Sequence, residues 1–338
     1  MNELTITLNS LSLAFQTVKE NHGCAGVDGV TIEQFEGNLG KNLKILQNEI
    51  KTKTYFPLPL LKILVDKGNG ESRALYIPTV RDRIVQTAAL KIVEPVLEKE
   101  FEECSFAYRK GRSVKQAVYK IREYYDKGYH WVVDADIDAF FDSVDHDILI
   151  EKVKRLIKDK DIIRLINMWL KAEVWDGKSV ERLEKGISQG SAVSPILANL
   201  FLDKFDEELI RNGHKLVRFS DDFVILCRSP ADAKQSLQLS KEALDKLLLE
   251  LDEEQIISFE DGFKFLGVIF IRDMIMTPFD RPKRERKILS YPKPLNMNEY
   301  FLKREIEILK DKYGKPLPNR TKLRFKKERG PADCSEGR

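Results

Sequence analysis

The chain is expected to be an α+β protein, and three observations carry that expectation. Apolar runs of strand length (LLKILV, HWVVDAD, KLVRF, FVILC and GFKFLGVIFI) are mixed irregularly with helical segments instead of alternating with them one for one as in a doubly wound sheet. Two of those runs end in aspartate, in WVVDAD and in LVRFSDDFVILC. With 338 residues, 42% hydrophobic and 33% charged, the chain is long enough for two or three lobes around a substantial core.

The elements are read in order from periodicity and breakers. Residues 3–20 and 33–53 are expected to be helical, separated by the loop NHGCAGVDGV. LLKILV and SRALYI make two strands around the turn DKGNGE, whose Gly and Asn residues suit a hairpin. A helix from Asp82 to about Phe101 follows, divided or kinked at Pro95 because proline removes a backbone donor. SFAYRKGRS is a basic, aromatic loop that leads into a helix from Ser113, and HWVVDAD is a strand. HDILIEKVKRL and the stretch from Asp159 to about Val174 are read as helices. GISQGSAVSP is a polar loop, and PILANLFLDKFDEEL a further helix. Ser229 and Pro230 cap a long helix to about Glu250, and GFKFLGVIFI is a strand or hairpin. No internal repeat and no low-complexity tract is present.

Composition narrows the chemistry. The N-terminus MNELTITLNS lacks a signal-peptide pattern and no apolar run reaches membrane-span length, so a cytoplasmic protein without membrane contact is expected. Cys24, Cys104, Cys227 and Cys334 form no CxxC pair, and the four histidines are dispersed, which argues against a zinc ribbon or a disulfide framework. Metal chemistry would therefore use carboxylates and a hard cation such as Mg²⁺. Charge is uneven: residues 271–338 carry 19 Lys/Arg against 10 Asp/Glu, whereas residues 1–270 carry 38 against 44. A basic C-terminal segment on a slightly acidic body suits a polyanionic partner.

LVRFSDDFVILC raises a question about adjacent Asp221 and Asp222. Aspartate favours turns, so a plain hairpin turn is one reading. The turn nevertheless lacks the Asn-Gly or Asp-Gly signature, and a third carboxylate, Asp136, ends another apolar strand. Two such strands side by side would bring Asp136 against Asp221. Like charges about 4 Å apart repel by roughly 4 kcal/mol at an effective dielectric of 20, so the arrangement calls for a cation. Two-metal sites for phosphoryl transfer use that geometry.

Seven blocks in order from about Gly23 to Phe270 carry a family resemblance: AGVDGVTIEQFE, RALYIPTVRDRIVQTAALKIVEP, SFAYRKGRSVKQAV, DADIDAFFDSVDH, GISQGSAVSPILANLFL, RFSDDFVILC and GFKFLG. The chain resembles bacterial reverse transcriptases of the group II intron-like lineage, most closely the CRISPR-associated branch, to which ISFEDGFKFLG is similar. The resemblance implies a right-hand polymerase. Fingers and the entry to the palm would occupy 1–128. The palm would occupy 129–275, with a helical insertion at 145–186 packing towards the fingers, and a short basic thumb and tail would occupy 276–338.

It also implies roles for individual residues. Asp136, Asp221 and Asp222 would be catalytic, with Asp136, Asp221 and the carbonyl of Ile137 holding two Mg²⁺ ions, for which Mn²⁺ could substitute. Lys67 and Arg73 would grip the triphosphate, the backbone amides of Asp138, Ala139 and Phe140 would face it, Phe141 would be the steric gate against a 2′-hydroxyl, and Gln189 would contact the nucleotide. Tyr108, Arg109 and Arg112 would hold the template, and Phe265, Leu266 and Gly267 the primer end. The implied partners are an RNA template, a DNA or RNA primer, dNTPs and CRISPR integrase subunits. Departures stand beside the matches: Ser220, where the family usually has Ala, Ser188 and Ala192, where it has Pro, and Gln255, near the position of a Lys-Thr pair. Lys264 would replace that lysine only if its loop folds back. The 68 residues after Phe270 leave no room for a maturase domain or endonuclease. A free-standing group II intron-derived or other defence-associated enzyme, template-independent nucleotide addition, and a non-catalytic RNA-binding or integrase-docking module remain alternatives.

Overall fold

The structure, a computed structural model, describes residues 6–66, 72–276 and 288–313, with side chains to residue 305. Lys67 lies outside the described residues, as does most of the tail beyond residue 276. Contacts divide the chain into two units, Met1–Leu295 and Asn296–Arg338. The second contains the helix Met297–Tyr313, which covers the expected segment FLKREIEILKDKY. The residue ranges expected for fingers and palm share one continuous core, which runs from Ile6 to Leu249. Among the described residues no helix is long and apolar enough to cross a membrane.

A four-stranded antiparallel sheet is central to the first unit. Its order is Lys215–Phe219, Asp222–Cys227, Trp131–Ile137, Leu251–Ser258. Both faces are covered, as the period of two requires. Val133, Ala135, Leu216, Phe223 and Ile225 pack into the main core with the helices Ser194–Arg211 and Pro230–Asp245. Val132, Val217, Val224 and Leu226 face the helix Val114–Asp126 and the aromatic side chains Phe259, Phe263, Phe265 and Phe270. Burying these large apolar side chains, at about 25 cal/mol per Å² of area removed from water, fixes the sheet between its two layers.

Several elements differ from expectation. The helix read to Glu250 ends at Asp245, and Leu251–Ser258 is a strand beside Trp131–Ile137. Its exposed first half, DEEQ, has no apolar alternation because it lies on the sheet's edge. The helix expected to Val174 stops at Leu170, and Glu173–Trp175 instead adds parallel to Leu60–Asp66, with Leu60 opposite Val174. The stretch 33–53 breaks at Gly37-Asn38 into Ile32–Glu36 and Leu39–Lys51. The helix Val80–Leu97 runs through Pro95, one turn from its end, where few bonds remain to be lost. The expected hairpin of Leu60–Asp66 with Ser72–Ile77 is formed, with Asp66 opposite Ser72.

GFKFLGVIFI is a hairpin of Phe263–Phe265 and Val268–Ile271, extended by Met274–Met276. Leu266 and Gly267 both adopt positive φ, 51° and 72°, as a two-residue turn between right-twisted strands demands.

Candidate active site

Antiparallel pairing of Trp131–Ile137 with Asp222–Cys227 places Ala135 opposite Phe223, so the next step of the ladder sets Asp136 beside Asp222 and the Ser220-Asp221 turn. On the other side of Asp136 the register slips: Ala135 pairs with Glu254 but Ile137 with Leu251, so Asp252 and Glu253 together oppose Asp136. This bulge crowds acid around one strand end, a common use of bulges beside functional sites.

Two cavities meet at Asp136. The first, of about 400 Å³, is lined by Asp136 to Asp142, Asp221, Asp252, Ser72, Arg73, Ala74 and Gln189. The second, of about 380 Å³, is lined by Asp134, Ala135, Asp136, Asp222, Glu253 to Gln255, and Lys264 to Leu266. Both fall in the size range of small-ligand sites. Of the expected nucleotide residues, the first brings together Arg73, Asp138 to Phe141 and Gln189, Lys67 lying outside the described residues, and the second unites Asp222 with the expected primer residues Phe265 and Leu266.

The carboxylates are strained electrostatically. Burial, then the negative charge of Asp221, pushes the Asp136 carboxyl up to about 6. Asp222 retains contact with solvent, yet displacement of water by the surrounding protein, followed by the charges of Asp136, Asp221 and Asp134, pushes it up to about 7. Among the described residues no ion pair neutralises Asp136, Asp221 or Asp222. Desolvated carboxylates repelling one another without a basic partner are the donor set a divalent cation relieves. Among the described residues no three His, Cys, Asp or Glu side chains close into a metal cage.

The wall opposite the carboxylates is built from two segments. Arg73 Nε donates to Gln189 Oε1, and the amide of Tyr76 donates to the Gln189 carbonyl at 2.8 Å. Gly190 makes this approach possible: at φ 128° a Cβ there would stand 2.4 Å from the Tyr76 carbonyl oxygen. The same loop locks onto the short helix Phe140–Ser143, where Ile187 N donates to Phe141 O at 2.6 Å and His146 Nε2 contacts Gly186 O at 2.7 Å. Phe141 is buried, edge-on to Phe140, and lines the first cavity.

Some expected residues are placed differently. The amide of Asp138 donates to Glu250 O at 2.9 Å and is already engaged. Phe140 is a core residue, almost fully buried, although it borders the cavity. Arg109 is buried, with its guanidinium bonded to Glu98, Phe101 O, Glu102 O and Ser105 O, so it braces the loop from inside. Arg112 pairs with Glu103 at 2.7 Å and lies over the Phe106 ring. Tyr108 is 51% exposed, with φ 60°. Gln255 donates to Asp134 Oδ2 at 2.9 Å, and Lys264 lines the second cavity, not the one that contains Arg73. Asp252 is a cavity residue that sequence reading missed; its signal was the acidic run LDEE.

A cleft of unpaired carboxylates at adjacent strand ends, with a basic residue and an aromatic ring across from them, defines the class of metal-dependent nucleotidyl-transfer polymerases. The comparisons agree, and residues 65–270 match the family described as "Reverse transcriptase (RNA-dependent DNA polymerase)". The chain belongs to that reverse transcriptase family. It is 31% identical over 288 residues to Protein YkfC of Escherichia coli (strain K12), covering 73% of this chain and 76% of that one. It is 31% identical over 211 residues to the group II intron-encoded protein LtrA of Lactococcus lactis subsp. cremoris, covering 62% of this chain but only 35% of LtrA. Among solved structures it is similar to a chain of a partial Cas6-RT-Cas1–Cas2 complex, with 30% identity and a TM-score of 0.45, covering 71% of this chain and 41% of that one. Family members generally use divalent metal ions, and the family activity requires an RNA template and dNTPs.

Proposed function

We propose that the protein extends a DNA or RNA primer along an RNA template, with Asp136 and Asp221 holding two Mg²⁺ ions and Mn²⁺ able to replace them. The observation that carries this reading is the convergence of Asp136, Asp221, Arg73, Gln189 and Phe141 on one cavity. In the reaction the primer 3′-hydroxyl gives up its proton to solvent as its oxygen bonds to the α-phosphorus of a dNTP, and the bond from that phosphorus to the oxygen bridging to the β-phosphate breaks, releasing pyrophosphate. When bound, the metal ions lower the pKa of the attacking hydroxyl and offset charge on the leaving oxygen.

The protein's own groups do the rest. Arg73, oriented by Gln189, places a fixed positive charge where the leaving group becomes more negative. Lys67 is assigned the same role from the hairpin turn. Ala139, Phe140 and Phe141 line the same cavity; the backbone of Ala139 and Phe140 is assigned to the triphosphate, and the Phe141 ring to exclusion of a 2′-hydroxyl. Phe265 and Leu266, in the second cavity with Asp222, support the primer end, with Gly267 completing their turn. Exposed Tyr108 is assigned to stack on template bases, and Arg112 to meet template phosphate on leaving Glu103. Arg109 supports that loop without itself reaching nucleic acid. Fingers at 1–128, palm at 129–275 and thumb from 276 follow the same reading, as does a cytoplasmic location.

The finer proposal is a role in acquiring CRISPR spacers from RNA beside integrase subunits. It is supported by the resemblance of ISFEDGFKFLG to that branch. The deciding experiment is primer extension on poly(rA)/oligo(dT) with dTTP and Mg²⁺, with and without template, comparing wild type with Asp221→Ala/Asp222→Ala. Templated extension by the wild type alone supports the polymerase reading. Extension without template supports terminal addition, and no extension by folded wild type on several primed RNAs points to a docking module.

A further inference from the structure

Arg218 lies in the strand Lys215–Phe219, just before the turn that carries Asp221, and its side chain is 1% exposed. A buried guanidinium is costly unless all its donors find partners. Here each nitrogen is engaged. Nε and Nη2 fork onto the two carboxylate oxygens of Asp206 at 2.7 and 2.5 Å. Nη1 donates to Asn199 Oδ1 at 3.2 Å and to the Ser220 carbonyl at 2.9 Å, and Nη2 donates to Ser105 Oγ at 3.0 Å.

The Ser220 carbonyl is no ordinary acceptor. It belongs to the peptide that joins Ser220 to Asp221, so its direction sets where Asp221 begins. Ser220 itself has φ 67°, a left-handed conformation that is unfavourable for a residue with a Cβ and persists only where surrounding contacts impose it. Asp206, in the helix Ser194–Arg211, is fully buried and holds the guanidinium from beneath the sheet. The main chain of Arg218 is tied as well: its amide donates to Cys104 O at 2.8 Å and its carbonyl accepts from Phe106 N at 3.0 Å.

We propose that Arg218 is a positioning residue for nucleotidyl transfer: anchored by Asp206, it holds the Ser220 carbonyl and so fixes the Ser220-Asp221 peptide that presents Asp221 to Asp136. The inference rests on the polymerase reading for what Asp221 does, but not for how it is held. A purely stabilising role is a poorer account, because apolar residues of similar volume commonly replace buried ion pairs without loss of stability. Lysine is no equivalent, since one ammonium cannot reproduce the planar fork that reaches Asp206 and Ser220 together.

The test compares full-length wild type, Arg218→Lys and Arg218→Met/Asp206→Leu. Each is assayed by thermal unfolding, by dTTP incorporation on primed RNA, and by Mn²⁺ binding to the free protein read by electron paramagnetic resonance. The double variant is expected to fold, to keep KM for dTTP within about two-fold, to lose on the order of 10- to 100-fold in kcat, and to bind Mn²⁺ more weakly. Arg218→Lys is expected to shift the same two quantities in the same direction. A folded double variant with wild-type kcat and Mn²⁺ affinity overturns the proposal. If the double variant does not fold, wild-type values in Arg218→Lys overturn it. Failure of the wild type to extend any primer would sink the polymerase reading alone, and the Mn²⁺ titration would still decide whether Arg218 positions Asp221.

Discussion

Arg73 Nε donates to Gln189 Oε1, joining residues 116 positions apart across the first cavity. One is on a strand of the N-terminal hairpin and the other on the loop before a central helix, so the pair can set nucleotide affinity only if both segments are in place. Arg73→Ala and Gln189→Ala should each lower kcat/KM for dNTP by roughly 10- to 100-fold, the worth of a charge-assisted hydrogen bond. Steady-state incorporation over a dTTP series checks this, and additive losses in the double variant would show that the two act separately.

Neutralising Asp136, proposed here as a metal-holding carboxylate, should stabilise the fold while abolishing synthesis. The Asp136 carboxyl is held at about 6, above its ordinary 3.8, so its charged form costs stability once the pH passes that value. After discounting for its partly buried position, Asp136→Asn should gain about 1 kcal/mol at pH 7.5, a rise of a few degrees in Tm. Adding Mg²⁺ should raise the Tm of the wild type but not of the variant, and chelation should reverse it. Differential scanning fluorimetry with and without Mg²⁺ reads both effects.

Phe141 is expected to govern sugar choice. Phe141→Val opens space in the first cavity while preserving an apolar side chain, so incorporation of rUTP relative to dTTP should rise by about 10- to 100-fold with little change in dTTP turnover. Unchanged discrimination in a folded, active variant would return Phe141 to the role of a core aromatic.

A pH effect should arise away from the cleft. Burial, with repulsion from Asp206 and Glu207, pushes Asp203 up to about 7, while burial draws Lys152 down to about 8. Asp203 binds its proton more tightly in the folded chain, so its contribution is complete below about pH 4 and is lost as pH rises through 7. Lys152 releases its proton more readily in the folded chain, so its contribution grows from about 8 towards 10.5. Asp203→Asn should therefore flatten the fall between pH 4 and 7, with a gain on the order of 2 kcal/mol at pH 7.5. Urea unfolding of both proteins across that range is the measurement, and parallel curves would contradict it.

Much of the site was legible in order along the chain. Asp136 and Asp221 are conspicuous because charge interrupts apolar strand runs, and the SFAYRKGRS and GISQGSAVSP loops are marked by composition. Arg109 misled for the same reason: an arginine in a basic loop reads as a nucleic-acid contact, and only packing shows its guanidinium turned onto the carbonyls of its own loop. Arg218 was passed over because one basic residue in KLVRF carries no signal until Asp206, twelve places earlier, is seen beside it.

By itself the sequence determined the mixed α+β class, the strands that bear acid, and the candidate groups proposed for metal and triphosphate, because these depend on residue type and local period. Tertiary structure alone decided which groups meet. It set Leu251–Ser258 beside Asp136 as an edge strand, brought Asp252 into the first cavity, placed Lys264 in the second, and engaged the Asp138 amide with Glu250. The physical reason is that register, bulges and buried hydrogen bonds are settled by burial and pairing between segments distant in the chain, and those energies have no local imprint on the residues that supply them.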